Sequence, residues 1–335
     1  MIMVAYYFSL DDGVGAKRSR FLYEMLLKRH ITVDVIHKNK WNEKTSNSRL
    51  KWLLKCVCFL FNSRKQVVYI SCGPFWHLFF VTFIAFIKRH HLFVDFRDPW
   101  SLNIKKEPRG IRRLLRLAIA VTIERFVYAV AERFIVCTPG MLDLYAKLFN
   151  DRKKLMLALN GHELDENLLE EHDNIVVSPY KIVCLGKFLS YGQVYLKKYE
   201  ALCAKLDELK VDYKIFFVGA DKETVMALSK DSRAAILPNM PYKKAIVFLS
   251  DAHFALLSIR DEDFEFGTKV FDYIAMGIPI YDWFDHEKSF YQFFSKYLNE
   301  DIHSISRLNF DSASGFYRGN CLKQLCDFIE KESGG

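Results

Sequence analysis

The sequence predicts an α/β protein of two domains, and three observations carry that expectation. The first residues alternate a strand (Met1 to Ser9), a glycine turn ending at Gly15, a helix from about Ala16 to Arg29 and a second strand, Ile31 to Ile36. The same alternation restarts at Tyr180, after an acidic stretch at 163–174 that reads as a linker. Between 263 and 281 the run DFEFGTKVFDYIAMGIPIY then reads as a loop, a short helix and a strand. A chain of 335 residues has room for two ordinary cores, and 51% hydrophobic with 26% charged residues excludes disorder.

Taken in order, the turn after the first strand reads G-V-G-A-K-R, with Arg18 where a dinucleotide fingerprint needs its third glycine. Residues 49–61 place Leu50, Leu53, Leu54, Val57, Leu60 and Phe61 on a helical face beside Arg49, Lys51 and Lys55. That suits a helix covering a sheet, or one docking on an anionic membrane. Val67 to Ser71 is the third strand, 75–87 an apolar helix, and Leu92 to Phe96 a fourth strand delivering Arg97-Asp98-Pro99-Trp100. A charged pair at a carboxyl strand end either binds ligand or closes on itself, and a tryptophan beside it can stack on a sugar. A basic run, KKEPRGIRRLLR, opens the next helix. Glu132 to Thr138 is a strand, Met141 to Leu148 a helix begun by Pro139, and Leu155 to Leu159 leads into Asn160-Gly161-His162-Glu163.

In the second half the strands are 180–185, 213–218, 234–237 and 253–257. Helices fill 194–209, 221–230 and 241–250 between them, and a further one spans 316–331. The domains are expected at 1–170 and 171–335, with the 316–331 helix returning toward the first.

Bulk properties bound the partners. A net charge of +8 suits an anionic ligand or lipid headgroup, and no nucleic-acid module accompanies the arginines. Eight cysteines without a C-x-x-C pair, inside apolar runs, read as buried thiols in a reducing compartment rather than a zinc site. The N-terminal residues do not read as a signal peptide and no apolar run is long enough to span a bilayer, so the expectation is cytoplasmic, with peripheral contact at the inner membrane face.

The 263–281 run carries the chemistry. A helix start with Gly267 and Thr268 amides and Lys269 one residue on is a seat for phosphate, and Asp272 lies one turn deeper, where a carboxylate takes ribose hydroxyls. With Gly277 as a left-handed cap and Pro279 following, the run resembles the donor loop E-G-F-G-x-P/K-x-x-E-x-x-A-x-G-x-P-V of family-four retaining glycosyltransferases. Phe266, Gly267, Lys269, Asp272, Ala275, Gly277 and Pro279 fall in register. Phe264 stands where that family has its first glutamate, between Asp263 and Glu265, and Asp272 shortens the second. D-F-R-D-P-W, E-R-F-I-V-C-T-P-G-M, N-G-H-E and Gly186-Lys187 after a strand are similar to further family segments, so the resemblance covers most of the chain.

The resemblance implies the GT-B architecture, two Rossmann-like domains facing a central cleft. It implies a nucleotide-diphosphate sugar as donor and a glycan or polyprenyl-linked glycan as acceptor, in surface polysaccharide synthesis, with neither metal nor cofactor. Gly186, Lys187, Gly267, Thr268, Lys269 and Asp272 would hold the donor, and Lys187 and Lys269 would neutralise the departing diphosphate. Gly15 and Arg18 would approach it from the first domain, or form a plain tight turn. Asp98 and Glu265 would hold sugar or acceptor hydroxyls. A sugar-nucleotide epimerase of the same fold and a non-catalytic membrane-associated assembly protein are the alternatives.

Overall fold

A computed structural model describes residues 1–9, 12–40, 49–164, 179–302, 308 and 314–334. The first unit is a parallel six-stranded sheet: β1 (Ile2–Ala5), β2 (Asp34–Ile36), β3 (Val67–Cys72), β4 (His91–Phe96), β5 (Arg133–Val136) and β6 (Leu155–Leu157), in the order β2-β1-β3-β4-β5-β6. Every residue of β1 and β3 is buried, because helices cover both faces of a parallel sheet. The helices are α1 (Val14–Lys28), α2 (Arg49–Asn62), α3 (Leu78–Ile87), α4 (Trp100–Lys106), α5 (Ile111–Val130) and α6 (Pro139–Phe149). Thr138 caps α6 by accepting the Met141 amide at 3.2 Å, with Pro139 in the first turn.

The second unit repeats the plan. Its strands are β7 (Tyr180–Leu185), β8 (Tyr213–Val218), β9 (Ala234–Leu237), β10 (Phe254–Leu256), β11 (Ile280–Tyr281) and β12 (Leu298–Asn299), ordered β12-β11-β10-β7-β8-β9 and all parallel. Its helices are α7 (Val194–Glu208), α8 (Lys222–Leu228), α9 (Tyr242–Leu249), α10 (Lys269–Ala275) and α11 (Ser289–Phe294). Gly277 closes α10 at φ 66°, and the Ile278 amide reaches back to the Tyr273 carbonyl at 3.0 Å.

The compact units are Met1–Asn160 with Arg318–Gly335, and Gly161–Tyr317. The expected dividing line at residue 170 falls within 165–178, outside the described residues. Helix α12 (Arg318–Ser333) therefore belongs to the first unit, where Leu322, Leu325, Cys326 and Ile329 join Met3, Leu22, Leu26, Tyr69 and Phe93 in one core. Arg318 ties its start to the Asn160 carbonyl at 2.6 Å.

Several elements differ from expectation for physical reasons. The strand expected from Ile31 begins at Asp34, because the Ile31 amide closes α1 on the Leu26 carbonyl. The apolar face expected on α2 divides: Leu53 and Leu60 are buried with Trp52 and Cys56, while Leu50, Leu54 and Phe61 are exposed. Helices α4 and α11 and strand β12 are too short for a periodicity to announce them. Among the described residues, no helix is long and apolar enough to cross a membrane.

Leu325→Ala should destabilise the first unit by about 2–5 kcal/mol, since it empties a fully buried site. Hydrogen exchange should show amides of β1 and β3 losing protection while β7 and β8 keep theirs.

Candidate functional site

Strand order reverses in the second unit between β7 and β10, and an α/β sheet opens a ligand crevice at the carboxyl ends of such a pair. Gly186 follows β7 there at φ 69°, its amide donating to the Val218 carbonyl at 2.7 Å. The left-handed φ favours glycine here, and a Cβ would meet the end of the Lys269 side chain, 3.0 Å from its Cε, and displace it. The Tyr273 hydroxyl accepts the Leu185 amide at 2.8 Å and donates to the Leu256 carbonyl at 3.3 Å, joining the two strand ends. The Ser258 hydroxyl donates to the Lys187 carbonyl at 2.9 Å, and Asp221, which caps α8, accepts the Phe188 amide at 2.5 Å. The backbone bounding the crevice is thus fixed on both sides.

Lys269 is half-buried, and its ammonium is held below the ordinary lysine range by burial, with Lys187 acting in the same direction and Cys184, Asp272 and Asp221 opposing. Lys187 is exposed. Gly267, at φ 71°, is also exposed, and the Thr268 carbonyl accepts the Phe271 amide as α10 begins. Asp272 accepts a 2.7 Å hydrogen bond from Tyr242, whose hydroxyl pKa is raised by burial and by that carboxylate. Glu265 pairs with Arg260 at 3.5 Å. Asp261-Glu262-Asp263 forms a turn in which Asp261 accepts two backbone amides, while Lys198 and Lys288 pair with Glu262 and Asp263.

The first unit corrects the expectation for Arg18. Its side chain is 2% exposed and lies inside the fold, with Nε donating to Asp95 at 2.7 Å, Nη2 to the same carboxylate at 3.3 Å and Nη1 to the Leu159 carbonyl at 2.8 Å. Tyr69 completes the cluster through its hydroxyl on Asp95 at 2.5 Å. Burial acts against the guanidinium charge, and Asp95 outweighs it. A guanidinium so committed positions structure and does not reach a ligand.

Gly15 lies in the first turn of α1, and the guanidinium that approaches it is that of Arg97, 3.7 Å from where a Cβ would stand. Among the described residues Arg97 has no ion-pair partner, and its Nε is buried without a hydrogen bond. Arg318 is lowered to about 10 by burial, with Arg18 and Arg97 pushing the same way and Cys321 opposing. With Asp95 committed to Arg18, this corner carries excess positive charge and favours an anion. Asp98 is exposed and, among the described residues, neither hydrogen-bonded nor ion-paired, so the alternative of an Arg97–Asp98 pair is not formed. The Trp100 ring stacks on Phe75, centroids 5.0 Å apart and 4° from parallel.

No protein-family model matches the chain, and no curated protein matches it by sequence. Solved structures do match in fold. Sucrose-phosphate synthase from Thermosynechococcus elongatus superposes with a TM-score of 0.63 at 12% identity, covering 100% of this chain and 99% of that one. HepE from Anabaena, in complex with UDP and glucose, gives 0.60 at 14% identity over 99% and 100%. A Listeria monocytogenes protein described as a UDP-N-acetylglucosamine 2-epimerase gives 0.51 at 11% identity over 99% and 89%. The chain has the two-domain α/β fold of these proteins. At such identities the likeness speaks for fold alone.

Expected residues Gly186, Lys187, Gly267, Thr268, Lys269, Asp272 and Glu265 all belong to the second unit, and Lys187 and Asp272 are each within electrostatic reach of Lys269. Gly15, Arg18 and Asp98 belong to the first. Four further residues shape these places: Tyr242, Tyr273, Asp221 and Arg97. The D-K-E-T run at 221–224 is an N-cap signature that marks Asp221 in one dimension. The tyrosines have no such signal, because their partners lie far along the chain.

Arg18→Met should cost the first unit about 3–5 kcal/mol in denaturant unfolding by stranding Asp95, and Asp95→Leu in the same chain should recover much of it. If Arg18 were instead a ligand-binding group, stability would hold and only binding would fall.

Proposed function

We propose that the protein transfers a sugar, with retention of configuration, from a nucleotide-diphosphate sugar to a glycan or lipid-linked glycan in surface polysaccharide synthesis, as a family-four enzyme acting at the cytoplasmic face of the membrane. The observation that carries this reading is the Lys269 ammonium lying against Gly186 at the β7/β10 reversal, with Asp272 one turn further along α10. A half-buried cation beside exposed Lys187 and a glycine-opened backbone suits a diphosphate. The fold shared with HepE, crystallised with UDP and glucose, supports a nucleotide-sugar donor.

In this reading Lys187 and Lys269, with the amides of Gly267 and Thr268, hold the diphosphate and stabilise the charge that grows on it as the sugar departs. No step is assigned to a metal or a cofactor. Asp272 takes the ribose hydroxyls, oriented by Tyr242, and Gly186 keeps the space that Lys269 occupies. Arg97, beside Gly15, takes the anion-facing role first expected of Arg18. Asp98 receives the acceptor or sugar hydroxyls, while Glu265, paired with Arg260, orients the loop ahead of Gly267. The epimerase reading, favoured by the likeness to the Listeria protein, differs in needing no acceptor.

A panel of UDP, GDP, TDP and ADP sugars should identify a bound nucleotide by calorimetry, and product analysis should find glycosyl transfer only with acceptor present. An epimerised sugar nucleotide formed without acceptor would support the second reading. Lys269→Ala and Asp272→Asn should each weaken diphosphate binding by about tenfold or more, one charge-assisted bond being worth roughly 1.5–3 kcal/mol. Tyr242→Phe should weaken it by less than Asp272→Asn does, since it removes the bond that orients the Asp272 carboxylate and leaves that carboxylate in place. Unchanged binding in Lys269→Ala would remove the assignment.

Acidity gives an independent check. The Lys269 pKa is depressed in the free protein, and a bound diphosphate would raise it again. Binding therefore takes up a proton between the two values, and affinity is full below the free-state pKa and falls as pH rises through it. ADP binding measured from neutral to alkaline pH should show that fall, and Lys269→Arg, which stays charged, should flatten it.

A further inference from the structure

Three helices of the first unit are apolar on both sides. α2 packs on α3 and α3 on α5, and each buries one stripe while leaving another in solvent. On α3 the buried residues are Leu78, Val81, Thr82 and Ala85, yet Phe79, Phe80 (50% exposed), Phe83, Phe86 and Ile87 face outward. On α5 the buried face is Ala120, Glu124, Val127 and Tyr128. Ile111 (86% exposed), Leu115 and Ile119 share a different face, and Phe126 falls on that same stripe, seven residues beyond Ile119. Phe126 meets Phe79 and Phe86 of α3 with ring centroids 5.7 and 6.3 Å apart, so the two stripes form one surface. Leu50, Leu54 and Phe61 extend it over α2, where the Lys88 ammonium sits 5.0 Å from the Phe61 ring. A helix apolar all round is normally covered on all sides, and a contiguous exposed patch of this kind marks an interaction surface.

Charge decides the occupant. α2, α3 and α5 carry seven Lys and Arg against one acid, Glu124, which is buried. Arg109 and Arg112 are exposed at the start of α5, and Lys88 and Arg89 follow α3. A second copy using the same patch would bring cation against cation, whereas an anionic bilayer surface accepts both the aromatic face and the basic rim. We propose that the outer face of α2, α3 and α5 docks the protein on an anionic lipid bilayer, in-plane and without crossing it. The surface would bring a lipid-linked acceptor within reach, and in that respect it rests on the proposed transfer. Docking itself needs no donor, so its failure and that of the donor site are read separately.

Co-sedimentation of the full chain with phosphatidylcholine vesicles, with and without phosphatidylglycerol and in the absence of nucleotide, tests it. The protein should pellet with the anionic vesicles and release in high salt. Phe80→Ser with Leu115→Ser should lower partitioning by about tenfold or more. Arg109→Gln with Arg112→Gln should do so at low salt only. Ile111→Ser, at a side chain that touches little of the fold, should act in the same direction without altering the melting curve. Wild-type protein remaining in the supernatant with anionic vesicles, or variants pelleting as wild type does, would overturn the proposal. So would a concentration-dependent dimer dispersed by the serine changes, which would assign the face to a second copy.

Discussion

A lysine ammonium laid against a glycine backbone is the contact on which the second unit's crevice depends. The Lys269 ammonium lies where a Cβ on residue 186 would be, and the left-handed backbone at that position favours glycine independently. The same burial that places the ammonium also makes its charge costly, and the nearest carboxylate, Asp272, already accepts a hydrogen bond from Tyr242. The free protein therefore holds a cation whose surroundings improve when an anion arrives. Tyr273 lies beneath this arrangement, keeping the ends of β7 and β10 at a fixed separation by bonding to both. Geometry at the crevice is in place before any ligand, the condition under which electrostatic complementarity is most effective.

The first unit distributes its charges differently. Asp95 lies at the base of the sheet's carboxyl edge and is shared by Arg18 and Tyr69. Among the described residues Arg97 has no carboxylate partner, while Arg318 donates to the Asn160 carbonyl and is pressed by the like charges of Arg18 and Arg97. Asp95 thus holds one of these arginines inside the fold and leaves a positive field around the others. The same unit leaves its outer helices apolar toward solvent, so both its edge and its outer face are electrically and chemically unfinished when the chain is alone.

Much of the fold was legible because its parallel strands are mostly apolar runs. The central strands Tyr180–Leu185 and Tyr213–Val218 and the edge strand Ala234–Leu237 stand at the residues their composition marks. The two-residue edge strand β12 lacks enough sequence to announce itself, whereas β11 stands at the end of the run that reads as a strand. At the site, Gly186, Gly267 and Lys269 were visible because turn glycines and a helix start leave a local signature. Arg18 was misread because its partner Asp95 lies 77 positions away, and a basic residue in a first helical turn looks the same whether it faces a ligand or a buried acid. Tyr242 was hidden for the same reason, since its hydroxyl meets Asp272 30 positions on.

Helix α12 has a consequence for the order of synthesis. Residues of the first sheet leave the ribosome long before Leu322, Leu325 and Ile329 exist to cover one side of it. At typical elongation rates the roughly 160 intervening residues take on the order of ten to thirty seconds. For that time the core of Met3, Tyr69 and Phe93 has the cover of Leu22 and Leu26 but lacks the part that α12 supplies. A translation product stopped before α12 would carry a complete second unit beside a first one that cannot close, and would be a ready substrate for proteolysis.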